Sequence, residues 1–156
     1  MEDQKPFPLN LSPLTSIEQI RPEHTWQLRR DVLYPGMMKH EMEMEEDADG
    51  MHFGAFKDNK LVGVVSLFHT GTEYQFRKLA VAAEMQNMGI GNSLLNQIIK
   101  QAMEDGGTRI WCNARIDALG FYLKAGFVKT GEPFSKNGID YEIMEKVITP
   151  PLNPPI

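Results

Sequence analysis

Apolar residues recur at every fourth position from Ile90 through Leu94 and Ile98 to Ala102, with Leu95 and Ile99 beside them. Asn92, Asn96, Lys100 and Gln101 fall off this stripe, so the pattern predicts an amphipathic helix over residues 90–103, stopped by Gly106-Gly107. Upstream the pattern is that of strands. Residues 51–56 and 61–68 flank the polar turn Lys57-Asp58-Asn59-Lys60 and predict a hairpin. Gly71-Thr72 makes a further break, and residues 74–81 supply the third strand of a meander. The end of that strand, Leu79-Ala80-Val81, is apolar without alternation, as expected of a strand buried on both faces.

The flanking segments complete the order. Residues 16–21 predict a short strand and residues 23–33 an amphipathic helix carrying Trp26, Leu28, Val32 and Leu33, ended by Tyr34-Pro35-Gly36. Residues 108–113 predict a strand, and 118–125 a short helix that exits through Gly126-Phe127. A last hairpin is predicted from 128–133 and 141–147, across a longer loop containing Asn137-Gly138. A meander demands antiparallel pairing, whereas strand–helix–strand through residues 90–103 demands a parallel pair. The expected fold is therefore α/β of the mixed α+β type: one domain with a central, mostly antiparallel twisted sheet and helices on both faces. Its expected limits are 15–148. Residues 1–14, with Pro6, Pro8 and Pro13, read as an arm, and 149–156, with Pro150, Pro151, Pro154 and Pro155, as a Pro-rich tail.

Residues 37–49 admit two readings. Met37, Met38, Met42 and Met44 stand among Glu41, Glu43, Glu45, Glu46, Asp47 and Asp49. Either the segment is a solvated helix or loop whose methionines cap the core, or it is an adaptable acidic wall of an acceptor pocket.

Composition narrows the function. The chain has 156 residues and a formal net charge of −5, which disfavours nucleic-acid binding and suits a cationic second substrate. The single Cys112 cannot form an internal disulfide and sits among apolar neighbours, as a core residue would. His24, His40, His52 and His69 have no ligand spacing, so no metal is expected. With no membrane-length apolar run and no signal-peptide core, a cytoplasmic location and no membrane partner are expected.

The chemistry concentrates in Gln86-Asn87-Met88-Gly89-Ile90-Gly91, between a strand and a helix. Glycines let the backbone approach a ligand closely, and the helix start presents free N–H groups and a positive dipole end, the setting for a phosphate or pyrophosphate. A P-loop would need lysine then serine or threonine after the last glycine, and Asn92-Ser93 stands there instead. A Rossmann fingerprint would need a third glycine where Leu94 stands.

Two stretches resemble the N-acetyltransferase superfamily abbreviated GNAT. One is Gln86-x-x-Gly89-x-Gly91, preceded by Leu79-Ala80-Val81 and followed by Leu94-Leu95. The other is Ala118-Leu119-Gly120-Phe121-Tyr122-Leu123-Lys124-Ala125-Gly126-Phe127, similar to that family's short helix with its phenylalanine–tyrosine pair and glycine–phenylalanine exit. The resemblance covers roughly residues 26–146. It implies acetyl-CoA as cosubstrate. Backbone groups of Gln86, Asn87, Met88, Gly89, Ile90, Gly91 and Asn92 would cradle its pyrophosphate, and Leu79, Ala80 and Val81 would pair with its pantetheine arm. Ala118, Phe121 and Tyr122 would complete the site, with Asn113 as a polar contact where the family's own asparagine position holds Arg115. Arg115 itself could reach a phosphate, reach an acidic acceptor or point to solvent.

The implied reaction is direct attack of a neutral primary amine, expected to be that of a small molecule, on the thioester. Tyr122 would be the general acid toward the departing thiolate, and a backbone N–H near Leu79 to Val81 the oxyanion donor. Some relatives place a glutamate base where Gln75 stands. Glutamine takes no proton at neutral pH, and Glu73 is expected in the turn, so a water chain is the expected route. Arg77 and Lys78, just before the cofactor strand, could face solvent or an anionic substrate. Two other readings remain open: an acyl-CoA-binding sensor without transfer activity, and an enzyme acetylating proteins or peptides. A homodimer, for which the sequence has no interface signature, would use the last hairpin or the Pro-rich tail.

Overall fold

The computed structural model describes residues 15–149, so the expected arm at 1–14 and nearly all of the Pro-rich tail lie outside the described residues. Seven strands form one sheet in the order β1-β2-β3-β4-β5-β7-β6. They are β1 Thr15–Ile20, β2 Met51–Lys57, β3 Lys60–Thr70, β4 Glu73–Val81, β5 Arg109–Arg115, β6 Val128–Lys136 and β7 Ile139–Val147. The helices are α1 Trp26–Leu28, α2 Ile90–Glu104 and α3 Leu119–Lys124. Pairs β1–β2, β5–β7 and β6–β7 are antiparallel, and β4–β5 is parallel, as the intervening helix requires. The fold is the mixed, mostly antiparallel α/β sheet expected.

The chain gathers into two compact units. One holds residues up to Ser66 with Lys78–Gln97, the other Leu67–Arg77 with residues from Ile98 onward.

In the first unit, Asp58 and Asn59 take the left-handed conformation (φ 52° and 66°), which makes the β2–β3 connection a two-residue turn whose twist matches the strands. Successive residues of β3 then serve opposite faces. At Gly63 a Cβ would lie 3.0 Å from Leu94 Cδ1 and 3.1 Å from Ile90 Cγ2, so α2 packs onto this face where a side chain is missing. The next residue, Val64, is buried with Leu28 of α1 and Ala80 of β4 on the other face. Helices therefore cover both faces.

Two expectations need correction here. Residues 23–33 are not one regular helix. Pro22–Thr25 form a 3₁₀ turn, α1 is short, and Arg29–Leu33 form a π turn closed by Tyr34 N–H to the Arg29 carbonyl at 3.2 Å. The wide turn begins at the residue whose long polar side chain, that of Arg29, is drawn into the interior. Leu79-Ala80-Val81 is also not buried on both faces: Ala80 is buried, while Leu79 and Val81 are only half-buried.

In the second unit, β6 and β7 are longer than expected. The loop between them shrinks to Asn137-Gly138, both left-handed (φ 53° and 77°), the Asn-Gly hairpin turn. Pro133 is tolerated inside β6 because that strand is the sheet's edge. Glu73 is the first residue of β4 and not part of the turn before it. The β4–β5 register covers Glu73↔Arg109, Tyr74↔Ile110 and Gln75↔Trp111, although β4 runs on to Val81 and β5 to Arg115.

Candidate active site

The glycine turn of the first unit is built to leave donors open. Asn87 (φ 65°) and Gly89 (φ 84°) are both left-handed, a conformation glycine reaches freely and asparagine more readily than most residues. The Gln86 side chain donates from Nε2 to the Val81 carbonyl at 3.0 Å, tying the turn to the end of β4. At the other side, Ser93 N–H and Ser93 Oγ both donate to the Gly89 carbonyl at 3.0 Å, which fixes the first turn of α2. Between these anchors, the N–H groups of residues 87–92 have no hydrogen-bond partner among the described residues. Such a run of donors at the start of an α-helix of 15 residues is the setting in which an anion is favoured. Met88, within the turn, is 52% exposed.

The second unit carries the aromatic helix. Tyr122 sits on α3 with ring centroids 5.6 Å from Phe76, 5.1 Å from Phe121 and 6.0 Å from Phe127. The end of α3 is held locally. Gly126 is left-handed (φ 93°), Phe127 N–H donates to the Tyr122 carbonyl at 3.1 Å, and Lys146 Nζ caps the Ala125 carbonyl at 2.9 Å. The Tyr122 ring is half-buried, and no hydrogen bond to its hydroxyl is present among the described residues. Burial pushes its pKa above the ordinary 10.0; Cys112 adds to the rise and Arg115 opposes it. The phenol is protonated at neutral pH, as an acid must be before it donates.

Nearby positions sort as follows. Asn113 is exposed on β5, Ala118 is half-buried, and Phe121 is 37% exposed. Arg115 is half-buried, not pointed freely to solvent, and acts on Tyr122 electrostatically. Cys112 is a core residue, its thiol pushed up to about 12 by burial. Glu73 pairs with Arg109 Nη1 at 3.2 Å. Among the described residues no group of three or more His, Cys, Asp or Glu could hold a metal ion.

Sequence reasoning missed a buried polar network in the first unit. Arg29, fully buried, donates from Nη1 to Asp47 Oδ2 and from Nη2 to Asp47 Oδ1, both at 2.9 Å. It also reaches the Met42 carbonyl and Ser66 Oγ, each at 2.9 Å. His52 Nε2 lies 2.8 Å from the Asp47 carbonyl, which can only accept, so Nε2 donates there, and Nδ1 lies 2.7 Å from Ser66 Oγ. Burial alone would raise the Asp47 carboxyl, but the bonds from Arg29 and the Met44 N–H outweigh it and hold it below the ordinary 3.8. The signal in the sequence was an arginine on the apolar stripe of Trp26, Val32 and Leu33. Beyond this pair lies an open acidic cleft of about 850 Å³ lined by Trp26, Glu41, Glu43, Glu45 and Asp47 among others. Of the methionines in residues 37–49, Met42 is buried in the core while Met37 and Met38 are exposed, and Glu41, Glu43 and Glu45 of the segment face a cleft.

Solved structures agree on the fold. A GNAT family acetyltransferase from Elizabethkingia anophelis with acetyl-CoA bound superimposes with TM-score 0.70 at 20% identity, over 88% of this chain and 100% of that one. An aminoglycoside 6'-N-acetyltransferase complexed with coenzyme A does so with TM-score 0.73 at 17% identity, over 88% and 99%. In sequence, the uncharacterized N-acetyltransferase YitI of Bacillus subtilis (strain 168) is 29% identical over 140 residues, 84% of this chain and 94% of that protein. Residues 17–148 match the sequence model of the acetyltransferase (GNAT) domain. The chain belongs to this family: it is an acetyl-CoA-dependent acetyltransferase.

Proposed function

We propose that the protein acetylates the primary amine of a small molecule, with the turn at residues 86–92 holding the pyrophosphate of acetyl-CoA. The run of partnerless N–H groups at 87–92 carries this reading. The stretch at Leu79 to Val81, beyond the β4–β5 register at residues 73–75, fits the role of a strand against which an amide-bearing arm pairs. Thioester acetyl is the group transferred. Tyr122, protonated and with its hydroxyl available, supplies the proton that the departing thiolate takes. A backbone N–H near Leu79 to Val81 donates to the oxygen on which negative charge grows. Asn113, Ala118 and Phe121 complete the cofactor contacts.

No carboxylate serves as base in this reading. Gln75 cannot take a proton and Glu73 is held by Arg109, so water removes the amine's proton. The acidic cleft and the net charge of −5 draw an ammonium-bearing acceptor. The aminoglycoside 6'-N-acetyltransferase of the same fold acts on a small-molecule amine, which supports that acceptor class.

The test is calorimetric titration with acetyl-CoA and, separately, with coenzyme A, followed by thiol release across an amine panel. Binding of both and turnover of a small amine is expected. A folded sample that binds neither, or that transfers acetyl only to peptides, overturns the proposal.

A further inference from the structure

Arg77 and Lys78 lie next to each other on β4, yet the structure gives them different fates. The Arg77 guanidinium lies 5.9 Å from the centroid of the Phe68 ring. Lys78 turns within the first unit to Tyr34: its ammonium donates to the phenol oxygen and lies 4.5 Å from the centre of that ring. Lys78 is half-buried, and among the described residues no carboxylate pairs with it. The protein has an excess of acidic side chains, so leaving this ammonium without one is a choice of placement.

The backbone agrees. Lys78 is left-handed (φ 59°) inside a strand, a conformation that costs a side-chain-bearing residue about 1–2 kcal/mol and that glycine would adopt freely. Strain kept at a lysine, immediately before Leu79-Ala80-Val81, marks a position where the side chain itself is needed. An ammonium held by a phenol oxygen and an aromatic face retains donors for an anion, and charge-assisted bonds to a carboxylate are the strong ones.

We propose that Lys78 is a specificity-determining residue that binds a carboxylate on the acceptor, so that the substrate is a zwitterionic amine of the amino-acid class. This rests on the acetyltransferase reading of the strand that follows it. The acidic surface draws the amino end, and Lys78 selects the molecules that also carry an acid.

The test uses the coenzyme-A-loaded protein and a panel of amino acids, each paired with the amine left by its decarboxylation. Binding is measured by calorimetry and turnover by thiol release. At least one amino acid is expected to bind tenfold or more tightly than its decarboxylated partner. Lys78→Met, which keeps the apolar stem and the same backbone strain, should abolish that preference and raise the acceptor KM tenfold while leaving the KM for acetyl-CoA unchanged. Lys78→Arg should recover part of the preference. A wild-type protein that binds no panel amino acid better than its partner overturns the proposal, as does a Lys78→Met effect on acetyl-CoA or on stability with the preference intact. Failure of acetyl-CoA binding in the wild type would instead strike the underlying transferase reading, and the two results are read separately.

Discussion

The first unit gathers hydrogen-bond donors in two places and uses them in opposite ways. Within the Arg29 guanidinium four of the five N–H donors meet acceptors, a bidentate carboxylate, a carbonyl and a hydroxyl, while Nε is buried without a partner among the described residues. At residues 87–92 the donors are backbone N–H groups, and among the described residues no acceptor is found for them. Donors satisfied internally hold α1 and the segment after it together. Donors left open at a helix start are capacity for a ligand. On the proposed reading, the difference separates what keeps the fold from what holds the cofactor.

The largest effect expected is on the closed network. Asp47→Ala leaves a fully buried guanidinium unpaired and should cost about 3–5 kcal/mol in chemical denaturation, while acetyl-CoA affinity per folded molecule stays unchanged. The pH dependence follows from the same carboxyl. Because its folded pKa lies below the unfolded value, its contribution is complete above about pH 4 and is lost as pH falls through the lower folded value. An acid melt of Asp47→Asn should lack that loss.

Tyr122→Phe comes next, with turnover falling about 100-fold and acetyl-CoA binding unchanged in calorimetry. In the wild type any alkaline loss of kcat due to this phenol lies above pH 10.0. Gly89→Val inverts the pattern of Asp47→Ala. A β-branched residue at φ 84° distorts the turn and should weaken acetyl-CoA about tenfold, with a stability change of only about 1–2 kcal/mol. The smallest effect is that of Gly63→Ala. Its new methyl presses on Ile90 and Leu94 and should cost about 1 kcal/mol, with a slight loss of cofactor affinity because it shifts the start of α2.

The open region was the more legible of the two. The turn at 86–92 announces itself through glycines between a strand and a helix whose apolar period is unbroken, and local pattern suffices for both. The core of α2 follows directly, with Leu94, Leu95 and Ile98 fully buried. The closed region was illegible because its residues imitate surface. Asp47 is buried and its neighbours Glu45 and Glu46 are not, yet all are acidic and nothing local separates them. Only a partner 18 positions away, Arg29, decides which carboxylate goes inside. The same long-range pairing broke the expected helix at 23–33, where periodicity reads an arginine as polar and the structure uses it as core. The last hairpin was legible only in part: Asn137-Gly138 lies in the expected loop, but the strands run on to Lys136 and resume at Ile139, because an edge strand tolerates Pro133 within it.

The measurement that bears most directly on the open turn is an amide-resolved titration of the ¹⁵N-labelled protein with coenzyme A. The account predicts that the N–H signals of residues 87–92 shift most and saturate together, with Asn87 and Gly89 among them. Saturable binding whose largest shifts lie elsewhere, or no binding by a folded protein, would contradict it.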